Sequence, residues 1–359
     1  MIGTIIVFLA LLSILVLAHE WGHYITAKKI GAKVEEFGLG FPPRLFSWRA
    51  KDGMLWSVNL IPLGGFVRIK GESGAERDAP GSFGRKSIPA RTIVLLAGVF
   101  MNLVLAAVFF TIGFSIGLPS VTEGDTGKAI VSDQAIRVTQ VLPDSPGDIA
   151  GFEAGDTILR IDGIEYVGGQ DARDALMTEE EDRVFILGVL RGEEELMIEV
   201  VPEYLEEIDR LGIGIAMVET GTVRYPLYLA PIKGTEITLF YTKEVTVAFY
   251  EIIRNLVMGE PAGVELAGPV GIAVLTGEIA RLGFVYLLQF AAILSINLAV
   301  INILPFPALD GGRIAFVALE AVRGKPASPR LEALVHNLGF VLLMLLVIFI
   351  TYKDILNLF

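Results

Sequence analysis

The sequence predicts a polytopic α-helical membrane protein: four transmembrane helices, a membrane-associated β-hairpin in one loop and a β-rich domain inserted in another. Three observations predict it. The 359 residues are 53% hydrophobic and only 19% charged, with a mean hydropathy of +0.61, outside the range of an ordinary soluble enzyme. Runs lacking Asp, Glu, Lys and Arg occupy Met1–Ala18, Thr92–Leu118, Leu282–Leu309 and Ala333–Tyr352, each long enough to span a bilayer. The links between the runs differ sharply in charge.

The first run has no basic start and no small-residue cleavage site, and it continues into His19, Glu20 and His23, so it reads as a retained helix. Residues 28–91 carry 12 Lys or Arg against 6 acids, and the last link carries Arg313, Arg323, Lys325 and Arg330; both are expected on the cytoplasmic side. Residues 119–281 hold 12 basic and 30 acidic residues, which suits an extracytoplasmic domain. Both termini then lie outside. The expected organisation is residues 1–118 for the first two spans and the hairpin loop, 119–205 for the inserted domain, 206–281 for an amphipathic membrane-surface helix and connector, and 282–359 for the last two spans. The absence of cysteine removes a disulfide framework and any Cys-ligated metal, and a net charge of −12 argues against a nucleic-acid partner.

Two anomalies interrupt the apolar runs. His19-Glu20-Trp21-Gly22-His23 is an H-E-x-x-H motif directly after 18 residues without charge. Spacing i, i+4 puts both imidazoles on one helical face, where they can bind Zn²⁺ while the Glu reaches a metal-bound water. A packed pair of histidines is the rival reading, but a carboxylate at that depth costs roughly 2–3 kcal/mol unless it has a partner or a task. Zinc needs a further protein ligand. Asp310, at the end of the third run just past two prolines, is one candidate; His336, early in the fourth, is the other, with a helix-packing hydrogen bond as its alternative role. The first and third spans run in the same direction, so His19, His23 and Asp310 fall at one membrane face. Eighteen residues at 1.5 Å cover roughly 27 Å of a core about 30 Å thick, which places the site near the cytoplasmic side. Asn302 falls at the same depth, with an amide suited to a substrate carbonyl or to helix packing.

With these residues in view, the chain resembles the intramembrane site-2 zinc metalloproteases, specifically the bacterial RseP-like (regulator of sigma E protease) group. The H-E-x-x-H motif is followed by Phe37-Gly-Leu-Gly-Phe-Pro43, Pro62-Leu-Gly-Gly-Phe66, Lys70-Gly-Glu72, a G-x-x-x-N helix motif from Gly98 to Asn102, Gly268-Pro-Val-Gly-Ile272 and Asn302 to Gly312. The resemblance implies zinc on His19, His23 and Asp310, Glu20 as catalytic base, Asn302 as a substrate contact, and a bacterial cytoplasmic membrane as the location. Single-span membrane proteins are the implied substrates, such as an anti-sigma factor or leftover signal peptides. Enterobacterial members carry two tandem PDZ domains; here there is room for one.

Residues 136–202 alternate as short strands, Ile136–Leu142, Thr157–Ile161, Val184–Val189 and Leu196–Val201. Ser145-Pro146, Ala150-Gly-Phe-Glu-Ala-Gly-Asp156 and Ile161-Asp-Gly163 resemble the bacterial PDZ signature, implying a peptide or C-terminus as ligand; a plain packing module is the alternative. Lys233, Glu236, Lys243, Glu244, Glu251 and Arg254 share one arc of a helix whose other face carries Leu239, Phe240, Phe249, Ile252, Ile253 and Leu256. Such a helix lies on the outer leaflet, covers the membrane domain, or belongs to a soluble surface. Leu55–Leu60 and Gly65–Ile69, split by Ile61-Pro62-Leu63-Gly64, read as a hairpin. Its edge, Gly65, Phe66, Val67, Arg68 and Ile69, is suited to clamp an extended substrate, with a small surface hairpin as the rival. Readings from other classes are a zinc-binding membrane transporter, which needs a polar path through several spans, and a catalytically inactive PDZ scaffold, which has no use for Glu20.

Overall fold

The structure, a computed structural model, describes residues 2–72, 76–122, 127–166, 168–177, 180, 182–192, 194–205, 209–261 and 267–357, so parts of the expected insert and connector lie outside the described residues. The chain forms two compact units, Met1–Gly113 with Pro231–Phe359, and Phe114–Ala230.

Helix α1 (Ile2–Lys29) runs well past the first uncharged stretch and carries the H-E-x-x-H residues within it, as expected. Nothing in Ala18–Ala27 breaks the helix, and Lys28 and Lys29 complement its carbonyl end. Gly22 is there for closeness: a Cβ would lie 2.2 Å from the Ala97 carbonyl oxygen of the neighbouring helix.

Strands β1 (Val34–Arg49) and β2 (Leu55–Ile69) follow, and they correct the expected hairpin. Segments 55–60 and 65–69 run in opposite directions, as a hairpin's arms do, but do not pair with each other. Residues 34–39 lie between them, with Phe37 opposite both Val67 and Trp56, and residues 44–49 pair with 55–59. Pro62 and Gly64 (φ +96°) lie where the chain reverses, since residues 55–58 run parallel to 36–39 and residues 65–69 antiparallel to 34–39. Val34, Phe37 and Ile69 drop into a core with Ala27, Val94, Leu95 and Val317.

Helix α2 (Ile88–Ile116) leads into the insert. There β3 (Leu118–Val121), β4 (Ile130–Val141), helix α3 (Pro146–Ala150), β5 (Thr157–Ile161), β6 (Ile164–Glu165), helix α4 (Gly169–Ala175), β7 (Phe185–Arg191), β8 (Glu194–Val200), β9 (Glu203–Leu205), β10 (Arg210–Gly212) and β11 (Ile215–Arg224) follow in turn. The main sheet has the order β3-β11-β4-β5-β7-β8, with β6 on β5 and β9–β10 as a separate pair. Because β11 sits between β3 and β4, the expected boundary at 205 falls inside the unit. Gly212 and Gly214 just before β11 and Gly221 within it hide the strand from a reading by alternation. Ile136, Val138, Phe152, Ile158, Ile161, Phe185, Leu187 and Val189 form the core. Ser145 caps α3 through Asp148 N–H, Pro146 opens the helix, and Gly151 closes it in the left-handed region.

One buried charge stabilises the insert. Asp156, 1% exposed, accepts from Arg191 Nε and Nη2, both at 2.8 Å, and from Glu153 N–H at 3.0 Å. Burial pushes its carboxyl up, but the bonds from Arg191 and Glu153 outweigh this and hold it below the ordinary carboxylate value.

The membrane unit resumes with α5 (Ala230–Met258), the expected amphipathic helix. Gly234 meets the Ala107 and Thr111 backbone of α2, and Tyr241 stacks on Phe110 at 5.8 Å, while Leu239, Phe240, Ile253 and Leu256 stay exposed. Helix α6 (Pro269–Leu282) was not expected within the connector. Its N-terminus is held by Asp354, which accepts from Gly268 N–H at 3.1 Å and Gly271 N–H at 2.7 Å. Helix α7 (Phe284–Ile303) ends earlier than the third uncharged run, because Pro305 and Pro307 break it. Asp310 therefore opens a separate helix, α8 (Asp310–Arg323), and α9 (Pro329–Leu356) completes the chain. Helices α1, α2, α7 and α9 are long and apolar enough to cross a membrane.

Replacing Asp156 with Asn should destabilise the insert of the full-length protein by about 2 kcal/mol. A carboxyl held low in the folded state contributes stability above its unfolded-state value and loses it as pH falls through the folded one. Pulse proteolysis between neutral pH and pH 3 should therefore show a pH-dependent loss in the native chain that Asp156→Asn lacks.

Candidate metal centre

Helix α1 presents His19 and His23 on one face, and the start of α8 brings Asp310 to meet them. His19 Nε2 lies 2.9 Å from Asp310 Oδ2, His23 Nε2 lies 3.1 Å from the same oxygen, and the two Nε2 atoms are 3.0 Å apart. His19 and His23 are 7% and 6% exposed. Among the described residues this is the group of His, Asp and Glu able to hold a metal ion.

The donor set fits a cation on a physical ground. His23 Nδ1 is 2.8 Å from the Val94 carbonyl, which only accepts, so Nδ1 carries the hydrogen and the neutral ring turns its Nε2 lone pair toward the carboxylate. The lone pairs of His23 Nε2 and Asp310 Oδ2, 3.1 Å apart, repel unless a cation or the hydrogen of His19 Nε2 sits among them. A tetrahedral ion with ligands at about 2.0 Å sets neighbouring donors about 3.3 Å apart, close to the triangle observed.

Helix α2 closes the back of the site. A Cβ on Gly98 would come within 2.4 Å of His23 Nε2 and 2.7 Å of His19 Nε2, so glycine there is a condition for the two rings to lie where they do. One turn on, Asn102 is fully buried with its amide Nδ2 3.5 Å from His19 Nδ1.

In front lies a cavity of about 370 Å³, lined by Glu20, Gly65, Phe66, Val67, Asn302 and Arg313 among others. Glu20 Oε2 accepts the Val67 N–H at 2.9 Å, so this edge amide of β2 points away from its partner strand and into the site. The expected strand edge is thus reached only in part. Arg68 pairs with Glu36 at 3.3 Å, and Ile69 is buried in the core opposite Val34; neither lines the cavity. Alternation along the strand and the return to β1 turn them away. His336 is also apart from the cluster: its Nδ1 accepts Ala308 N–H at 3.0 Å, securing the bend before Asp310.

Sequence reading named Arg313 only as a charge of the last link and Glu72 only within Lys70-Gly-Glu72, and gave neither a place at the site. Arg313 stands one turn beyond Asp310, lines the cavity and forms a salt bridge with Glu72, the acid that follows β2. The i, i+3 spacing from Asp310 was the available signal. Further along α8, Glu320 is held below the ordinary carboxylate value by Arg91, which donates at 3.0 and 2.8 Å, and by Arg77 at 2.7 Å, fastening α8 to α2.

Residues 7–346 match peptidase family M50. The zinc metalloprotease RasP of Oceanobacillus iheyensis is 31% identical over 438 residues, covering 99% of each chain. A candidate zinc metalloprotease of Rhizobium meliloti is 32% identical, over 98% of this chain and 96% of its own, and one of Clostridium perfringens is 35% identical, over 98% of each. A PDZ domain of a Listeria monocytogenes SdrC-like protein is similar over 26% of this chain and 92% of its own, at 20% identity and a TM-score of 0.22, a likeness too slight to carry an argument. The chain belongs to peptidase family M50, the site-2 protease family whose motifs it carries.

Proposed function

We propose that this protein is an intramembrane zinc metalloprotease that hydrolyses peptide bonds within or near the transmembrane segments of single-span membrane proteins. The observation that carries the reading is the convergence of His19 Nε2, His23 Nε2 and Asp310 Oδ2 in a cavity that also holds Glu20 and a strand edge. Two imidazoles and a carboxylate suit Zn²⁺, and relatives matched along nearly their whole length are named zinc metalloproteases. When bound, zinc supplies Lewis acidity, acidifying water and polarising a carbonyl.

The chain's own groups do the rest. Glu20 takes the proton of the attacking water and returns it to the leaving amine. Peptide bonds in a transmembrane helix are hydrogen-bonded and shielded, so the substrate must be extended before attack, and the edge at Gly65–Val67 receives it as an added strand. A substrate carbonyl that pairs there takes over the Val67 N–H and releases Glu20 Oε2 to the water. Asn302, across the cavity, contacts the substrate.

The charge asymmetry supports an orientation in the bacterial cytoplasmic membrane with both termini and the insert outside and the active site toward the cytoplasm. The apolar faces of α5 and α9 meet lipid. In the insert, a groove of about 410 Å³ beside Gly212–Met217 and Leu176 suits a peptide or C-terminus of a partner.

Three outcomes test this reading. Glu20→Gln should keep zinc and fold while cleavage of a single-span substrate falls about 10²–10⁴-fold; activity like the native protein's removes the assignment. Val67→Pro costs no bond to β1, since that N–H faces Glu20, and should slow cleavage at least about tenfold with zinc content unchanged. Because the chain has no cysteine, single Lys51→Cys and Lys128→Cys variants, both at exposed positions, should label from the inside and the outside respectively.

A further inference from the structure

Resting on the metal reading above, we infer that Asn102 is a positioning residue of the centre: its side-chain oxygen holds His19 in the tautomer that leaves Nε2 available to zinc. A histidine that gives its Nε2 lone pair to a cation carries its hydrogen on Nδ1, and that hydrogen needs an acceptor. His23 has one in the Val94 carbonyl at 2.8 Å. At His19 Nδ1 stands the amide of Asn102, 3.5 Å away, and no part of Asn102 is exposed.

The amide as placed suits the centre without metal. Asn102 Nδ2 faces His19 Nδ1, its Oδ1 has no partner, and His19 Nε2–H is left to donate to Asp310 Oδ2 at 2.9 Å. A cation among the three ligand atoms removes the hydrogen from Nε2 and puts it on Nδ1, so that two N–H groups would face each other. Turning the amide by 180° exchanges two atoms of nearly equal size and sets Oδ1 on Nδ1–H. The turn leaves one buried amide group unpaired in either orientation, so satisfying Asn102 itself does not decide it. The hydrogen on His19 decides it.

The G-x-x-x-N spacing follows from this geometry. Gly98 clears the space for both rings, and the residue one turn further along the same face of α2 is the one that reaches His19 Nδ1. The α2 backbone at Asn102 is itself fixed, since its carbonyl accepts from Ser295 Oγ of α7 at 2.8 Å.

The test compares Asn102→Leu, which keeps the bulk and loses the acceptor, with Asn102→Asp, which keeps the acceptor. Zinc affinity of the full-length protein in detergent is measured by competition with a chromophoric chelator, and the histidine tautomers by ¹⁵N NMR, practicable with three histidines in the chain. Asn102→Leu should bind zinc about 10–100-fold more weakly. Asn102→Asp should bind as tightly as the native protein or more tightly, with His19 protonated at Nδ1. Equal affinity in native and Leu proteins, or equal losses in both variants, overturns the inference and leaves the metal reading intact. If the native protein binds no more zinc than a His23→Ala control, the metal reading itself fails and this inference with it.

Discussion

Two α1 histidines and one carboxylate of α8 aim their ligand atoms at a single point, an arrangement that needs a proton or a cation at its centre. The rest of the membrane unit is built around holding it. Val94 fixes one imidazole by hydrogen bonding, Gly98 keeps α2 from displacing either ring, and the broken end of α7 frees Asp310 to begin a new helix instead of continuing an old one. A straight helix through residues 304–309 would carry residue 310 roughly 10 Å further along its axis.

Helix α8 is held by Val317 in the apolar core and by charge pairs along its length. Side chains in contact with lipid gain nothing from the hydrophobic effect on packing together, so helices in a bilayer are positioned by close fit and by polar bonds. Arg313 answers Glu72 next to the cavity, and Glu320 is shared by Arg91 and Arg77 two turns on. A buried charge without its partner is costly, and each of these pairs therefore penalises any displacement of α8 that would part Asp310 from the histidines.

How much of this was legible in the sequence depended on whether the signal was local. His19 and His23 announce themselves because i, i+4 on a helix is a short-range fact, and the four spans because lipid imposes a length. Asp310 was reachable through the parity of the spans, although the helix it belongs to was not. Strand β1 was missed because Gly38, Gly40, Pro42 and Pro43 punctuate it like a loop; its order comes from pairing with two parts of β2 that lie far along the chain. Helix α6 was missed because the carboxylate that caps it, Asp354, stands 83 residues away from Gly271 in sequence. Arg68 and Ile69 looked like Gly65, Phe66 and Val67 in an alternating run, but register against Val34 and Phe37 decides which of them face the cavity.

The coupling between Glu20 and Val67 shows why a strand edge belongs beside this particular carboxylate. An unpaired amide at the edge of a sheet is ordinarily a liability. Here the carboxylate caps it, so both groups are satisfied while the cavity holds no peptide. An N–H serves one strong acceptor at a time, and a peptide laid along the edge competes for it through a carbonyl. The exchange costs little, since one acceptor replaces another, but it leaves the carboxylate without its donor at the moment a peptide bond stands beside it. In the proposed mechanism, substrate extension and the freeing of Glu20 both run through the one hydrogen bond from Val67 N–H, a contact separate from the ligands on α1 and α8.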